Sequence, residues 1–443
     1  MRCLNTKNNN SELKKSDWTT VQFKVIADIK GGDGFPEIHQ GKTDGLPFIK
    51  VSDMELEGNR KYIFSSNNCI SEKLANKLGI TIFKPGTIVF AKVGAALLLN
   101  RRRILKLPTA LDNNMMGVTL RNNIDPEFIY QWMLMVDFGK FVNPGAVPSV
   151  NQKQIGDLTL VLPSHKIQKQ IADILSTVDN TIKKTEALIE KYQKVKEGMM
   201  QDLFTRGIGE DGKLRPTYHE APELYKETEL GMLPKEWSVK TFKTLLKEDI
   251  VASIQDGNHG ESHPRANDFV NSGVPFLIAN NLKANTIDIT SGPYITHGKY
   301  RSLRVGYCKE GDVLLTHKGT IGLTAVVKDL PNEIILSPQV TAYRINNKQA
   351  LNNIFLHNYF QTVSFQERIN SMSKQSTRDY IGITSQQKLY CIFPSMDEQI
   401  FINKIVMGLS IIITNEKIML AKRNKLKQAL MQDLLTGKVR VPA

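Results

Sequence analysis

The sequence predicts an α+β chain in which two mixed α/β units are joined by two long antiparallel coiled-coil helices, with a pseudo-twofold internal repeat. Three observations predict it. A stretch of about forty residues occurs twice, each copy carries an apolar seam at helical spacing, and the segment ahead of each copy breaks into short apolar runs of strand length.

The repeat comes first, because a missed duplication misplaces everything else. Leu162-Pro163-Ser164 through Met200-Gln201-Asp202-Leu203-Phe204-Thr205 realigns without a gap on Phe393-Pro394-Ser395 through Met431-Gln432-Asp433-Leu434-Leu435-Thr436. Gln168 falls on Gln399, Ile174 on Ile405, Ile182 on Ile413 and Lys191 on Lys422. Upstream the match is weaker but keeps its order. Trp18 pairs with Trp237, Gly45-Leu46-Pro47-Phe48-Ile49 with Gly273-Val274-Pro275-Phe276-Leu277, and Lys84-Pro85-Gly86-Thr87-Ile88-Val89 with Lys309-Glu310-Gly311-Asp312-Val313-Leu314, followed by Gly94 and Gly319.

The repeated stretch reads as a helix. Ile171, Ile174, Val178, Ile182, Thr185, Ile189, Tyr192, Val195, Met199 and Leu203 step by three or four, as a coiled-coil or bundle seam requires, and Ile402, Ile405, Leu409, Ile413, Leu420, Leu426, Leu430 and Leu434 follow at the matching steps. Pro163-Ser164 supplies a start and Gly207 a stop; Gly437 closes the second copy. Because the first helix leaves unit one for unit two and the second begins where unit two ends, the economical pairing is antiparallel.

The expected division is a polar N-terminal extension over 1–17, a first mixed domain over 18–162, a first helix over 163–206, a linker over 207–234, a second mixed domain over 235–392 and a second helix over 393–443. Strands are expected near Thr87 to Phe90, Val313 to Leu315 and Leu323 to Val327, and helices over Pro126 to Val136 and Ile354 to Ile369. Gly207 to Glu236, rich in Gly, Pro and Glu, reads as a surface connection.

Composition limits the function. With 443 residues, 41% hydrophobic and 23% charged, the chain is ordinary globular material. Its 58 Lys and Arg against 44 Asp and Glu leave +14, which favours a polyanionic partner. Residues 166–206 hold about eight basic and six acidic side chains, so the charge excess lies mostly outside this helix. Cys3, Cys69, Cys308 and Cys391 have no metal-knuckle or disulfide spacing, and no apolar run reaches the ~18 to 20 residues that span a bilayer. A cytoplasmic protein with no membrane partner is expected.

Catalytic signatures are missing. Gly41-Lys42-Thr43 resembles the end of a phosphate-binding loop, but Pro36 stands where its first glycine belongs. Gly31-Gly32-Asp33-Gly34 reads as a turn, and Asn143-Pro144-Gly145 departs at its third residue from an amino-methyltransferase motif. His259 and His263 lack acidic or cysteine partners at diagnostic distances, so no metal, catalytic or cofactor-binding residue is assigned.

The informative residues are polar and basic and lie on glycine-bounded loops. In the first unit they are Lys50, Ser52, Lys92, Arg101, Arg102, Asn113, Asn151 and Lys153. In the second they are Asn258, His259, Arg265, Asn280, Thr316, His317, Lys318, Thr320, Lys374, Gln375 and Arg378. Arg and Lys reach phosphates and guanine edges, and Asn and Gln can bind adenine bidentately, so these are candidate DNA contacts.

Taken in order, these stretches resemble the DNA-specificity subunit of type I restriction-modification systems. The carrying residues are the duplicated Leu162-Pro163 to Ala172 and Phe393-Pro394 to Gln399, the latter with the family's Pro-x-x-x-Glu-Gln start. Gly231-Met232-Leu233-Pro234-Lys235-Glu236-Trp237, Asp256-Gly257-Asn258-His259, and His317-Lys318-Gly319-Thr320-Ile321-Gly322 after Gly311-Asp312-Val313-Leu314 complete the set. Two departures are Lys92-Val93-Gly94-Ala95-Ala96 in place of Gly-Thr-Ile-Gly, and Lys169 where the family has a glutamate before glutamine.

The resemblance implies two target-recognition domains, each reading half of an interrupted double-stranded DNA sequence, with conserved helices as spacer and dock. It implies two methyltransferase subunits and restriction-translocase subunits as partners. S-adenosylmethionine, ATP and Mg would sit on those partners, and none on this chain. The rivals are a free-standing DNA-modifying enzyme, a nuclease or methyltransferase, against which the missing motifs argue, and a basic membrane-surface or scaffolding coiled coil, against which the near-neutral helix argues.

Overall fold

The computed structural model describes residues 18–142, 147–283, 286–331, 333–374 and 380–442. The chain divides into two compact units, residues 1–186 with 418–443, and residues 187–417. Both cuts fall inside long helices, His165–Leu203 and Met396–Leu435. Each unit therefore contains the start of one helix and the end of the other, so by packing the helices are not segments separate from the mixed domains.

In the first unit a five-stranded sheet runs in the order Ala27–Gly31, Met115–Leu120, Ile88–Ala91, Arg103–Leu105, Tyr62–Ile63, and a four-stranded one runs Cys69–Ile70, Leu46–Ile49, Thr109–Leu111, Ile82–Phe83. Trp18–Gln22 pairs antiparallel with Thr159–Pro163, which delivers the chain to the first long helix. The helix Pro126–Leu134, capped by the Asp125 side chain at the Phe128 N–H, covers the sheet. Phe23, Phe90, Phe128 and Met133 form the core with Ile167, Ile171 and Leu175 from the start of the first long helix and Met431, Leu434 and Leu435 from the end of the second.

The second unit is built the same way. Val251–Gln255, Val340–Ile345, Val313–Lys318 and Thr320–Val326 form one sheet, and Phe269–Val270, Tyr294–Ile295, Val274–Leu277 and Ile335–Leu336 another. Ser238–Thr241 pairs with Tyr390–Phe393 ahead of the second long helix. Trp237, Phe242, Tyr343, Phe355 and Phe360 pack with Ile402 and Val406 from that helix's start and with Met200, Leu203 and Phe204 from the end of the first. Met200 and Leu203 are the counterparts of Met431 and Leu434, which explains the repeated Met-Gln-Asp-Leu: its apolar members are buried while Gln201 and Gln432 face solvent. Each fully buried apolar side chain of this kind stabilises its unit by about 1.5–3 kcal/mol.

The helices run antiparallel where they meet. In the first unit Asp179 takes an ion pair from Lys427 at 2.6 Å, and Arg423 donates to the Thr185 hydroxyl. Moving forward along one helix thus moves backward along the other. Seam residues Ile171, Ile189, Leu203, Ile402, Ile413 and Leu434 are buried, and Val178, Ile182, Ile405 and Leu409 are half-buried. Ile174 and Leu426 are corrections: at 37% and 53% exposure they lie outside the seam, because the buried positions shift to Leu175 and to Met431.

Two other expectations change. The helix expected over Ile354 to Ile369 is two, Asn353–Phe360 and Val363–Ser373, because Thr362 caps the second with its hydroxyl at the Phe365 N–H. The connection Gly207 to Glu236 is not loose: Tyr225–Thr228 and Gly231–Pro234 form a hairpin, and Arg215 donates to buried Glu398 at 2.5 Å. Glu398 also accepts the Trp237 Nε1–H at 3.0 Å and the Ile208 N–H at 2.7 Å. Among the described residues no helix is long and apolar enough to cross a membrane.

Candidate nucleic-acid interface

Both units build a cleft at the same station. In the first, the strand Ile88–Ala91 ends at Lys92, whose N–H donates to the Asn114 carbonyl at 2.8 Å and whose carbonyl accepts from Val150 at 3.0 Å. In the second, His317 repeats both bonds, to Gln339 at 2.9 Å and from Ile381 at 3.0 Å. A glycine is required beside each station. A Cβ on Gly32 would lie 2.2 Å from the Asp112 carbonyl oxygen, and one on Gly257 2.0 Å from that of Leu336.

In the first unit this frame brings Lys92, Asn151 and Lys153 together around a cleft of about 530 Å³, with Gly31, Met116 and Gln152. Asn151 and Gln154 form a capping box that fixes the turn. Gln152 and Lys153 also line an adjoining cleft of about 850 Å³ with Lys24, Lys30 and Lys84. Lys50 donates to Gln40, and Arg101 pairs with Glu55; Ser52 is exposed on the 3₁₀ helix Val51–Glu55 and Asn113 on a turn, and none of these four lines either cleft.

In the second unit His259 and Lys318 share a cleft of about 490 Å³ with His263, Phe269, Phe276 and Gln339. Lys318 reaches it from the end of its strand, before the tight turn at Gly319 (φ +76°). Arg265, Asn280, Thr320 and Lys374 are exposed but do not line it. Gln375, Arg378 and the Asn143-Pro144-Gly145 motif lie outside the described residues, as does the 1–17 extension with Cys3.

Four candidates are corrected by burial. Arg102 sits over the Phe138 ring at 3.9 Å and donates to the carbonyls of Asn100 and Val136; burial lowers its pKa to about 10, against the opposing pull of Asp137. Asn258 donates to the Val305 carbonyl and accepts from the Arg304 N–H, Thr316 accepts the Leu323 N–H, and His317 contacts the Thr341 hydroxyl at 2.7 Å. These side chains hold the loops in place and reach no external partner.

Residues 15–193 match the family described as the type I restriction modification DNA specificity domain. The type I restriction enzyme MjaVIII specificity subunit of Methanocaldococcus jannaschii is 26% identical over 338 residues, 75% of this chain and 74% of its own. The MjaIX specificity subunit of the same organism is 22% identical across 96% and 94%. The S subunit of the type I system of M. genitalium shares the fold at TM-score 0.52 and 13% identity, over 96% of this chain and 98% of that one. A chain from a study of type I complex assembly and conformational transition does so at 0.57 and 13%, over 96% and 99%. Over most of its length the chain is similar to type I specificity subunits.

Two departures from the family pattern now have a physical form. Where the second unit turns at Gly319 into a strand, the first has the short helix Ala95–Leu98 after Gly94, which accommodates Ala95-Ala96. The residue opposite Glu398 is Ile167, not Lys169, because Gln168 and Gln399 make matching bonds; Ile167 is buried in the core. Sequence reasoning missed Lys24, Lys30, Lys84 and Gln339 as cleft residues. Alternation in Ala27–Gly31, where Asp28 and Lys30 point outward, was the one available signal.

Proposed function

We propose that this chain is the non-catalytic DNA-reading subunit of a type I restriction-modification complex, each unit reading one half of an asymmetric bipartite target. The observation that carries the reading is the shared station with different side chains: Lys92, Asn151 and Lys153 in one cleft, His259, Lys318 and Gln339 in the other. A common frame with unlike donors and acceptors is what two different half-sites require. The net charge of +14 supplies the sequence-independent attraction to phosphate.

The helices take the second part of the role, docking methyltransferase subunits and setting the number of unread base pairs. Met407 and Ile411 on the second long helix are 57% and 50% exposed, and Ile400, Phe401, Ile412, Ile418, Met419 and Leu426 are exposed as well. An apolar stripe of this length on a helix that already has a seam supports a further protein partner. S-adenosylmethionine would be held by the methyltransferase subunits, and ATP and Mg by restriction-translocase subunits.

Sequencing methylated sites in cells carrying this chain and its methyltransferase partner tests the reading. A bipartite asymmetric motif is expected; no methylation motif, or one without a gap, contradicts it. Inserting four residues near Glu190 adds about 6 Å of rise and roughly one turn, so the gap should grow by one or two base pairs at ~3.4 Å each with both half-sites unchanged. An unchanged gap would assign the helices to docking alone.

A further inference from the structure

His259 and Asp256 form the exposed end of a buried polar cluster. The Tyr343 hydroxyl donates to Gln386 Oε1 at 2.7 Å, and Gln386 Nε2 donates to the Thr341 hydroxyl oxygen at 3.0 Å. The Thr341 proton is then free for His317 Nδ1 at 2.7 Å, which leaves the His317 hydrogen on Nε2, facing Asp256 Oδ2 at 3.5 Å. That last approach is a dipole facing a carboxylate without a formed hydrogen bond, so the bonded run ends at His317. Asp256 Oδ2 also takes His259 Nε2 at 2.8 Å. Burial would raise the Asp256 pKa, but the two histidines outweigh it and hold the carboxyl below its ordinary value. An ionised carboxylate only accepts, so the His259 hydrogen sits on Nε2. In the neutral ring the other nitrogen, Nδ1, is an acceptor; it has no hydrogen-bond partner among the described residues, and the His259 side chain is 54% exposed beside Lys318 and Gln339.

We infer that His259 reads a base amino group, N6 of adenine or N4 of cytosine, through Nδ1, and that Asp256 is the positioning residue that fixes this preference by fixing the tautomer. In the major groove those amino groups are the donors, whereas guanine and thymine present acceptors at the corresponding edge, which an unprotonated Nδ1 repels. The first unit lacks the device. Gly31, which precedes Gly32 as Asp256 precedes Gly257, has no side chain, and the Lys92 ammonium lies 2.6 Å from where one would begin. That unit presents a fixed donor at the station where the second presents a fixed acceptor.

The inference rests on the DNA-reading role proposed above, and its test separates the two. The full chain and its methyltransferase partner are expressed with wild-type sequence, Asp256→Asn or His259→Ala, and methylated sites are sequenced. An asparagine can donate or accept, so the imidazole is free to present either tautomer. Asp256→Asn should cut discrimination against guanine or thymine at one position of one half-site by about tenfold, within the range of a lost base contact. His259→Ala should remove it at the same position, and the other half-site should stay intact in both. His259 is an exposed loop residue, so its variant keeps the test decisive if Asp256→Asn fails to fold. A wild-type motif that both variants, or His259→Ala alone, leave unchanged overturns the tautomer reading only. Absence of any bipartite wild-type motif overturns the DNA-reading role and the inference with it.

Discussion

Gln399 accepts the backbone N–H of Asn352 at 2.9 Å, so the first turn of the second long helix fixes the N-cap of the helix Asn353–Phe360. Its amide nitrogen donates to the carbonyls of Pro394 and Ala350. Gln168 does the same for the first unit, accepting the Asp125 N–H at 2.9 Å and donating to Pro163 at 2.8 Å. A glutamine is the one side chain of this length that both donates and accepts, which explains its presence at both copies. Gln399→Ala should therefore destabilise the second unit by about 1–3 kcal/mol, because it strands buried backbone groups. Urea unfolding checks it, and an unchanged midpoint would contradict the bonding role.

Glu398, absent from the first copy, ties the 207–236 connection to the helix start through Arg215, Trp237 and Ile208. Removing the carboxylate leaves a largely buried guanidinium with the exposed Glu236 and the Arg206 carbonyl, so Glu398→Ala should cost about 3 kcal/mol or more. Limited proteolysis should then cut within 207–236 before any other segment. Equal protection in both proteins would show that the hairpin alone holds this connection.

Stability should also depend on pH through His357. Burial, aided by Lys196, lowers its pKa to about 4, and Gln361 donates to its Nε2 while Nδ1 faces the Thr324 hydroxyl at 3.3 Å. Below its unfolded value near 6.5 the unfolded chain binds a proton that the native ring does not. The stabilising contribution is thus complete above about pH 6.5 and is lost as pH falls towards 4, roughly 3 kcal/mol in the limit. His357→Gln should flatten the stability profile of the second unit across that window; an unaltered slope would contradict the assignment.

Arg102 and Lys318 should separate framework from reader. Arg102→Ala should lower the stability of the first unit by about 2–4 kcal/mol, and Arg102→Lys should not restore it, since a lysine cannot stack on Phe138 and fork to two carbonyls. Lys318→Ala should leave unfolding unchanged and weaken modification by about 1–3 kcal/mol if its ammonium contacts a base edge. Thermal melts and methylation rates of the two variants distinguish them.

The long helices were legible because a long-range repeat and a helical seam are written in the order of residues. Their partition between units was not, because it depends on which ends share a core: Leu203 with Trp237, Leu434 with Phe128. Ile174 was misplaced because the seam advances one residue to Leu175, a shift that apolar spacing alone does not resolve. Arg101, Arg102 and Arg103 look alike in sequence, yet only Arg101 reaches solvent, since Arg102 and Arg103 turn inward to loop carbonyls. Gln339 and Lys30 gave no motif; each lines the cleft of its own unit beside residues far from it in the chain.

The central claim is that the two units read separate half-sites. Replacing residues 235–392 with the corresponding domain of a relative, and sequencing the methylated sites in cells that carry the methyltransferase partner, tests it most directly. The account predicts one half-site changed to the donor's, with the other half-site and the gap retained. A change in both half-sites, or in neither, would contradict it.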